Sequence, residues 1–172
     1  MRPFFSVVIP TFNQSDQLLR CVQSVLNQSF KNFEIIIIDN NSSDNTEKII
    51  RKLKNKIIYK KIHNKGVIAK SRNLGIKIAK GNWVSFLDSD DAWSRDKLKI
   101  TYKKIKRNNF DVICNDEWII SKSKIRIWSY GPYQSNFYRN MLKFGNVMST
   151  SASSVKRKFL KDNKITFNEK KE

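Results

Sequence analysis

Three carboxylates fall within four residues at Asp88-Ser89-Asp90-Asp91. Packed that closely they repel one another, and water, basic side chains or a hard divalent cation must compensate them. Mg2+ and Mn2+ favour carboxylate oxygen and often take only one or two such ligands from a protein, leaving their other positions to water and phosphate. A diphosphate bridging to such an ion becomes a better leaving group. The competing reading of the tetrad is a solvated acidic turn that caps the next helix. Two further polar runs end apolar stretches, Pro10-Thr11-Phe12-Asn13 and Asp39-Asn40-Asn41-Ser42-Ser43-Asp44.

The elements that carry these runs can be read from periodicity. Phe5-Ser6-Val7-Val8-Ile9 reads as a buried strand, and Leu18, Leu19, Val22, Val25 and Leu26 recur at helical spacing after a cap at Ser15. Phe33 to Ile38 is the most strand-like run in the chain and stops in the polar turn Asp39 to Ser43. Asp44, with Glu47 three residues on, forms a capping box for a helix that turns Ile49, Ile50 and Leu53 inward. Lys56 to Ile62 returns as a strand, and Val67, Ile68, Leu74 and Ile78 mark a helix containing Gly75, whose cost there demands a functional or packing reason. Asn82 to Leu87 is a fourth strand, Leu98, Tyr102 and Ile105 line a basic helix, and Phe110 to Cys114 is a fifth strand. Strands alternating with helices imply βαβ units and an α/β fold with a mostly parallel sheet covered on both faces. Ligands of such sheets bind beyond the carboxyl ends of the strands, so all three polar loops belong on one rim. Beyond Asn115 the pattern is irregular, with a strand expected over Lys124 to Trp128, a helix over Asn136 to Phe144 and a short strand over Thr150 to Val155.

The chain has 172 residues, 40% of them hydrophobic, which suits one domain with a core and excludes a wholly disordered basic tail. Its net charge is +19. Residues 1–50 hold four basic and five acidic side chains, so the excess lies in the remainder; Arg51 to Arg72 alone has nine Lys or Arg and no acid. Such a surface attracts polyanions, among them nucleic acid, anionic lipid head groups and phosphorylated substrates, unless the Lys-rich composition is only a habit of the source. No apolar run approaches the roughly 20 residues of a membrane span, and no signal-peptide core is present. Cys21 and Cys114 fit neither a disulfide framework nor a thiolate cluster and read as reduced core residues. His63 reads as a surface or packing residue.

Four motifs in series resemble glycosyltransferase family 2: Ser6-Val7-Val8-Ile9-Pro10-Thr11-Phe12-Asn13, Ile38 to Thr46, Ser71-Arg72-Asn73-Leu74-Gly75, and Phe86-Leu87-Asp88-Ser89-Asp90-Asp91-Ala92-Trp93. The resemblance implies the GT-A fold, a Rossmann-like three-layer sandwich around a mostly parallel sheet. It implies that Pro10, Thr11, Phe12 and Asn13 wall a nucleotide pocket, with Phe12 against the base; core packing is the alternative for that ring. Asp39 corresponds to an acid that accepts a hydrogen bond from the imide nitrogen of the base, which suits uracil or thymine, and is otherwise a turn former. Asn40 and Asn41 replace the Asp-Gly common in relatives, and both tolerate turn conformations. Arg72 matches a basic residue near the donor diphosphate, where a guanidinium can hold two oxygens; Lys65 and Gly66 add charge and close backbone approach, and Asn73 and Gly75 shape the helix. Asp88 matches the first acid of the DXD signature and, with Ser89, lies near the ribose and metal waters. Asp90 matches the direct ligand of Mn2+ or Mg2+, and Asp91 either orients the donor sugar or caps the helix beginning near Ser94.

The family implies metal-dependent transfer, with inversion, from a nucleoside-diphosphate sugar, UDP-sugar favoured, to a glycan or lipid-linked acceptor in cell-envelope polysaccharide synthesis. The base that serves the acceptor lies in relatives past an acceptor-side strand and helix. Asn146 to Val155, Lys156 to Leu160 and Ile165 to Glu169 resemble the approach to it, so a C-terminally truncated member lacking the base is the expectation. Neither Asp116 nor Glu117 is spaced as a convincing base. Residues 1–115 form the donor part and 116–172 an incomplete acceptor part of the same domain. Trp118, Trp128, Tyr130, Tyr133 and Tyr138, beside basic residues, suit a carbohydrate or lipid-linked phosphate at an inner membrane face, or else core or subunit packing. A cytoplasmic location, peripheral at an anionic membrane, follows. Two alternatives stand: a basic nucleic-acid-binding module, which leaves the acidic tetrad unexplained, and a non-catalytic nucleotide-binding protein of the same fold.

Overall fold

The computed structural model describes residues 2–53, 57–129, 139, 142–143 and 148–170 of the chain. Four strands run parallel at its centre, β1 (Phe5–Thr11), β2 (Phe33–Asp39), β3 (Ile57–Lys61) and β4 (Trp83–Phe86). They are joined by α1 (Ser15–Leu26), α2 (Thr46–Lys52) and α3 (Ile68–Ile78), and α4 (Lys97–Arg107) follows the last of them. Then come β5 (Val112–Cys114), the strands β6 (Glu117–Ile120) and β7 (Ile125–Trp128), and finally β8 (Ser153–Lys156) and α5 (Arg157–Asp162). The large sheet has the order β3-β2-β1-β4-β8-β5, with β8 antiparallel to both neighbours. β6 and β7 pair separately as an antiparallel hairpin. The expected α/β fold with a mostly parallel sheet is what forms.

Alternation along the strands produces two cores. Phe5, Val7, Ile9, Ile35 and Ile37 pack with Leu18, Val22 and Val25 of α1, Ile50 of α2 and Leu98 of α4. Val8, Ile36 and Ile38 pack with Leu74 and Ile78 of α3 and Leu160 of α5. Ile35 to Ile38 are fully buried because their strand is covered on both faces; each contributes about 1.5–3 kcal/mol by burial. The packing reason for Gly75 is explicit: a Cβ there would stand 2.2 Å from Cγ1 of Val8, so the helix can approach β1 only with glycine at this point.

The helix starts differ from expectation. Ser15 is the first helical residue of α1 rather than its cap, and its N–H donates to Asp44 Oδ2 at 2.9 Å. The other oxygen of Asp44 accepts the N–H of Thr46, while Glu47 does not reach back and pairs instead with Arg51 and Lys61. Two nearby cations outcompete one backbone N–H for a carboxylate. The first turn of α4 is served by buried Gln28, whose Oε1 accepts the Leu98 N–H at 2.9 Å, so Asp91 does not cap that helix. Cys21 is buried, Cys114 half-buried, and both are free. His63 is exposed. Lys56, most of the expected helix over Asn136 to Phe144, and Tyr130, Tyr133 and Tyr138 lie outside the described residues. Among the described residues no helix is long and apolar enough to cross a membrane.

Candidate functional site

The strand order turns back at β1, which has β2 on one side and β4 on the other. Pairing with β4 ends at Val8 and Phe86, whereas pairing with β2 runs on to Thr11 and Asp39. The Val8 carbonyl accepts Leu87 N–H. Two residues on, Pro10 faces the same side, where no strand remains and its missing N–H breaks no ladder. The two chains part there and leave a cleft of about 370 Å³ at the reversal point, where α/β sheets bind ligands. Pro10, Thr11 and Phe12 line one side and Asp88, Ser89 and Asp90 the other, with Asn40, Asn64, Gly66, Ile68 and Ser71 between. Larger hollows elsewhere are fringed mainly by lysines and other surface residues and lack a paired acidic loop.

The acidic loop is held from behind. Ser151, itself buried, accepts the Asp88 N–H on Oγ at 3.0 Å and hydrogen-bonds the Asp91 carboxylate. The Ser151 carbonyl accepts the indole N–H of Trp93 at 2.9 Å. Over the Trp93 ring, 3.6 Å from its centre, sits the Lys97 ammonium, buried and without a hydrogen-bond partner among the described residues. Burial pushes Lys97 down to about 7, opposed by the nearby charges of Cys114 and Glu117. Burial also lifts the Asp91 carboxyl above its ordinary range; the Ser151 hydrogen bond works against this, and the charges of Asp90 and Asp88 with it. Asp88 Oδ1 accepts from Arg72 at 2.7 Å. No hydrogen bond or ion pair engages the exposed Asp90 carboxylate among the described residues.

Arg72 does not line the cleft; it reaches it through Asp88. Its Nε is buried without an acceptor, and its guanidinium lies 5.4 Å from the centre of the Phe167 ring. Phe167 is pinned by Asn73, which donates to its carbonyl and accepts its N–H, both at 2.9 Å, and it meets Phe86 edge-on. Asn73 thus anchors the C-terminal segment beside Arg72.

The predicted residues divide. Pro10, Thr11, Phe12, Gly66, Asp88, Ser89 and Asp90 come together in the cleft. Phe12 is 53% exposed, which excludes core packing for its ring. Asn13 and Lys65 are exposed neighbours of cleft residues, both with left-handed backbone. Asp91 faces Ser151. Asp39 is fully buried and does not line the cleft: Oδ1 accepts from Ser42 N and Oγ, and Oδ2 from the Tyr59 hydroxyl at 2.5 Å. Because the carboxylate is fully buried, a ligand can use it only if a residue that covers it moves. Asn41 takes the left-handed backbone that glycine would supply, at φ 56°. Asn40 Oδ1 accepts the Asn64 N–H, tying the β2 end to the loop before α3. Sequence reasoning missed Gln14, Asn64 and Ile68 as site residues and named Ser71 only within a motif and Asn40 only as a turn former; for Asn64 the turn tripeptide Asn64-Lys65-Gly66 is the available signal.

The donor set fits a hard cation held by one or two carboxylate oxygens with water and phosphate completing its shell. It does not form an all-protein cage: among the described residues no three His, Cys, Asp or Glu side chains are grouped to hold a metal.

The family model described as Glycosyl transferase family 2 matches residues 6–162. Glycosyltransferase GlyG of Streptococcus pneumoniae serotype 4 is 29% identical over 159 residues, covering 91% of this chain and 52% of GlyG. The Escherichia coli UDP-Glc:alpha-D-GlcNAc-diphosphoundecaprenol beta-1,3-glucosyltransferase WfaP is 44% identical over 95 residues, 54% of this chain and 38% of WfaP. The crystal structure of S. aureus TarS 1–349 in complex with UDP superposes with a TM-score of 0.82 at 26% identity, covering 98% of this chain and 51% of that one. The chain spans about half or less of the length of these proteins.

Proposed function

The chain belongs to glycosyltransferase family 2, and from that premise we propose that its cleft binds the nucleoside diphosphate of a sugar donor, UDP favoured, for inverting transfer to a glycan or lipid-linked acceptor. The observation that carries this reading is the acidic loop Asp88-Ser89-Asp90 facing Pro10, Thr11 and Phe12 across the cleft at the reversal of strand order. UDP in the TarS structure and UDP-Glc in the name of WfaP favour the uridine donor, and the diphosphoundecaprenol in that name favours a lipid-linked acceptor of cell-envelope polysaccharide synthesis.

In this reading the exposed Phe12 ring packs against the base, and Pro10, which faces the opened β4 side, offers its backbone carbonyl to the base edge, the Thr11 carbonyl being held by the Asn40 N–H. Asp39 accepts a hydrogen bond from the imide N–H of the base once the Tyr59 hydroxyl turns aside. Asn13 supports the pocket wall, and Lys65 with Gly66 brings charge and close backbone to the diphosphate. Arg72 orients Asp88 through its 2.7 Å bond and has spare N–H groups for phosphate oxygen. Asp90, with Asp88 beside it, would hold Mn2+ or Mg2+, which when bound neutralises the departing diphosphate. Asp91 orients the donor sugar from its anchor on Ser151, and Ser89 stands near the ribose. The protein works on the cytoplasmic side, peripheral to the membrane.

Calorimetric titration of UDP with and without Mn2+, on this chain and on Asp90→Ala, tests the reading. Mn2+-dependent binding lost in Asp90→Ala is expected. Failure to bind UDP or any other nucleoside diphosphate, alongside tight binding of a control oligonucleotide, overturns it in favour of the basic nucleic-acid module.

A further inference from the structure

The β6–β7 hairpin carries an apolar face that the described fold leaves open. Its register sets Trp118 opposite Ile127 and Ile120 opposite Ile125. Side chains alternate along a strand, so these four share one face. They are 70, 67, 71 and 66% exposed respectively. The other face is mixed, with Glu117 opposite Trp128 and Ile119 opposite Arg126. A two-stranded hairpin is marginal in water, and a contiguous apolar face of this kind marks a docking surface.

Charge identifies the partner. From Glu117 to Ser129 the hairpin holds Lys122, Lys124 and Arg126 against the single acid Glu117, which lies on the face away from Trp118, within a chain of net charge +19. We propose that the hairpin docks on an anionic lipid bilayer, with Trp118, Ile120, Ile125 and Ile127 at the boundary between headgroups and acyl chains. Lys122 and Lys124, in the turn between the two strands, then reach lipid phosphates, Arg126 on the opposite face adds only to the general attraction, and the Trp118 indole suits that boundary because one edge is polar and the rest apolar. The inference rests on the proposed function only in that a lipid-linked acceptor would be presented there.

The test is co-sedimentation with vesicles of phosphatidylcholine alone or mixed with phosphatidylglycerol. A protein this basic will adhere to anionic vesicles at low salt by charge alone, so the informative condition is about 0.5 M salt, where exposed charges are screened. The unaltered chain is expected to stay bound there. The triple variant Trp118→Ser, Ile120→Ser, Ile127→Ser is expected to lose binding at least about tenfold, with its thermal melt unchanged because all three side chains are exposed. Quenching by brominated acyl chains reads the face directly: Trp118→Phe is expected to remove it and Trp128→Phe to retain it. Equal binding of the triple variant at high salt, or quenching indifferent to Trp118, overturns the proposal. So does a concentration-dependent dimer that the triple variant abolishes, which would give this face to a second copy. Vesicle docking without UDP binding would leave this inference standing and sink the donor reading, and the converse result would do the opposite.

Discussion

Replacing Gly75 by alanine asks whether close helix packing positions the cleft. The added Cβ would lie 2.2 Å from Cγ1 and 3.0 Å from Cγ2 of Val8, against a normal carbon contact of about 3.5–4.0 Å. Val8 is fully buried and paired with strands on both sides, so β1 has nowhere to retreat. A β-branched side chain has few rotamers to escape into. Relief therefore requires α3 to shift by about 1–1.5 Å, at a typical overpacking penalty of about 1–3 kcal/mol. Alanine returns about 0.5–1 kcal/mol through helix propensity and a less flexible unfolded chain. The net expectation is a loss within about 0–2.5 kcal/mol and centred a little above about 1 kcal/mol, or about 2–5 °C in Tm at that centre for a domain of this size. Because Arg72 rides on the same helix, its 2.7 Å bond to Asp88 should loosen as well. Urea unfolding of Gly75→Ala, Val8→Ala and the double variant forms a cycle in which the double variant should recover at least about 1 kcal/mol relative to additivity. A Gly75→Ala protein as stable as the parent, with no coupling to Val8, would refute the reasoning and leave helix propensity as the deciding term.

Lys97→Met removes a buried amine whose folded-state value, about 7, lies below its ordinary 10.5. The folded protein resists protonation there, so the penalty is complete below about pH 7, and the parent should gain on the variant as pH rises toward about 10, by at most about 1.4 kcal/mol per unit. The Trp93 ring moderates this. Ionisation of cysteines in the unfolded chain affects both proteins alike, so the difference between urea midpoints at about pH 6 and about pH 9 isolates Lys97; a gap constant across that range contradicts the account. Ser151→Ala leaves the Asp88 N–H without its acceptor and frees Asp91, so Mn2+-dependent UDP binding should weaken by about tenfold, with Ser151→Thr close to the parent. Calorimetry showing unchanged Mn2+-dependent affinity in Ser151→Ala would remove Ser151 from the site.

The parts of this molecule that sequence reveals are those set by local pattern. Ile35 to Ile38 announce a strand buried on both sides, Pro10 stands where β1 has lost its β4 partner, and Asp88 lies just past the end of β4. Contacts closed over long separations are invisible to periodicity. Asn73 meets Phe167 across 94 positions, and Gln28 serves a helix 70 residues away. The β6 strand gave no signal because Trp118, Ile119 and Ile120 are apolar without alternation, and only pairing with β7 separates their faces. The capping box at Asp44 and Glu47 failed for an electrostatic reason, since Arg51 and Lys61 claimed the glutamate. Asp39 shows the opposite limit: its type and place were legible, but Ser42 and Tyr59 had taken its oxygens.

The loops after β1 and β2 are stitched to each other. Asn13 N–H donates to Ser42 Oγ, Ser43 N–H donates to Asn13 Oδ1, and Asp44 takes the first N–H of α1 while holding the start of α2. Left-handed Asn13 and Asn41 are thereby fixed in place before any ligand arrives. The free energy of ordering this rim belongs to folding, not to binding. Under the proposed function, a nucleotide entering beside Phe12 would meet one rigid wall where two separate loops would each have had to surrender their freedom.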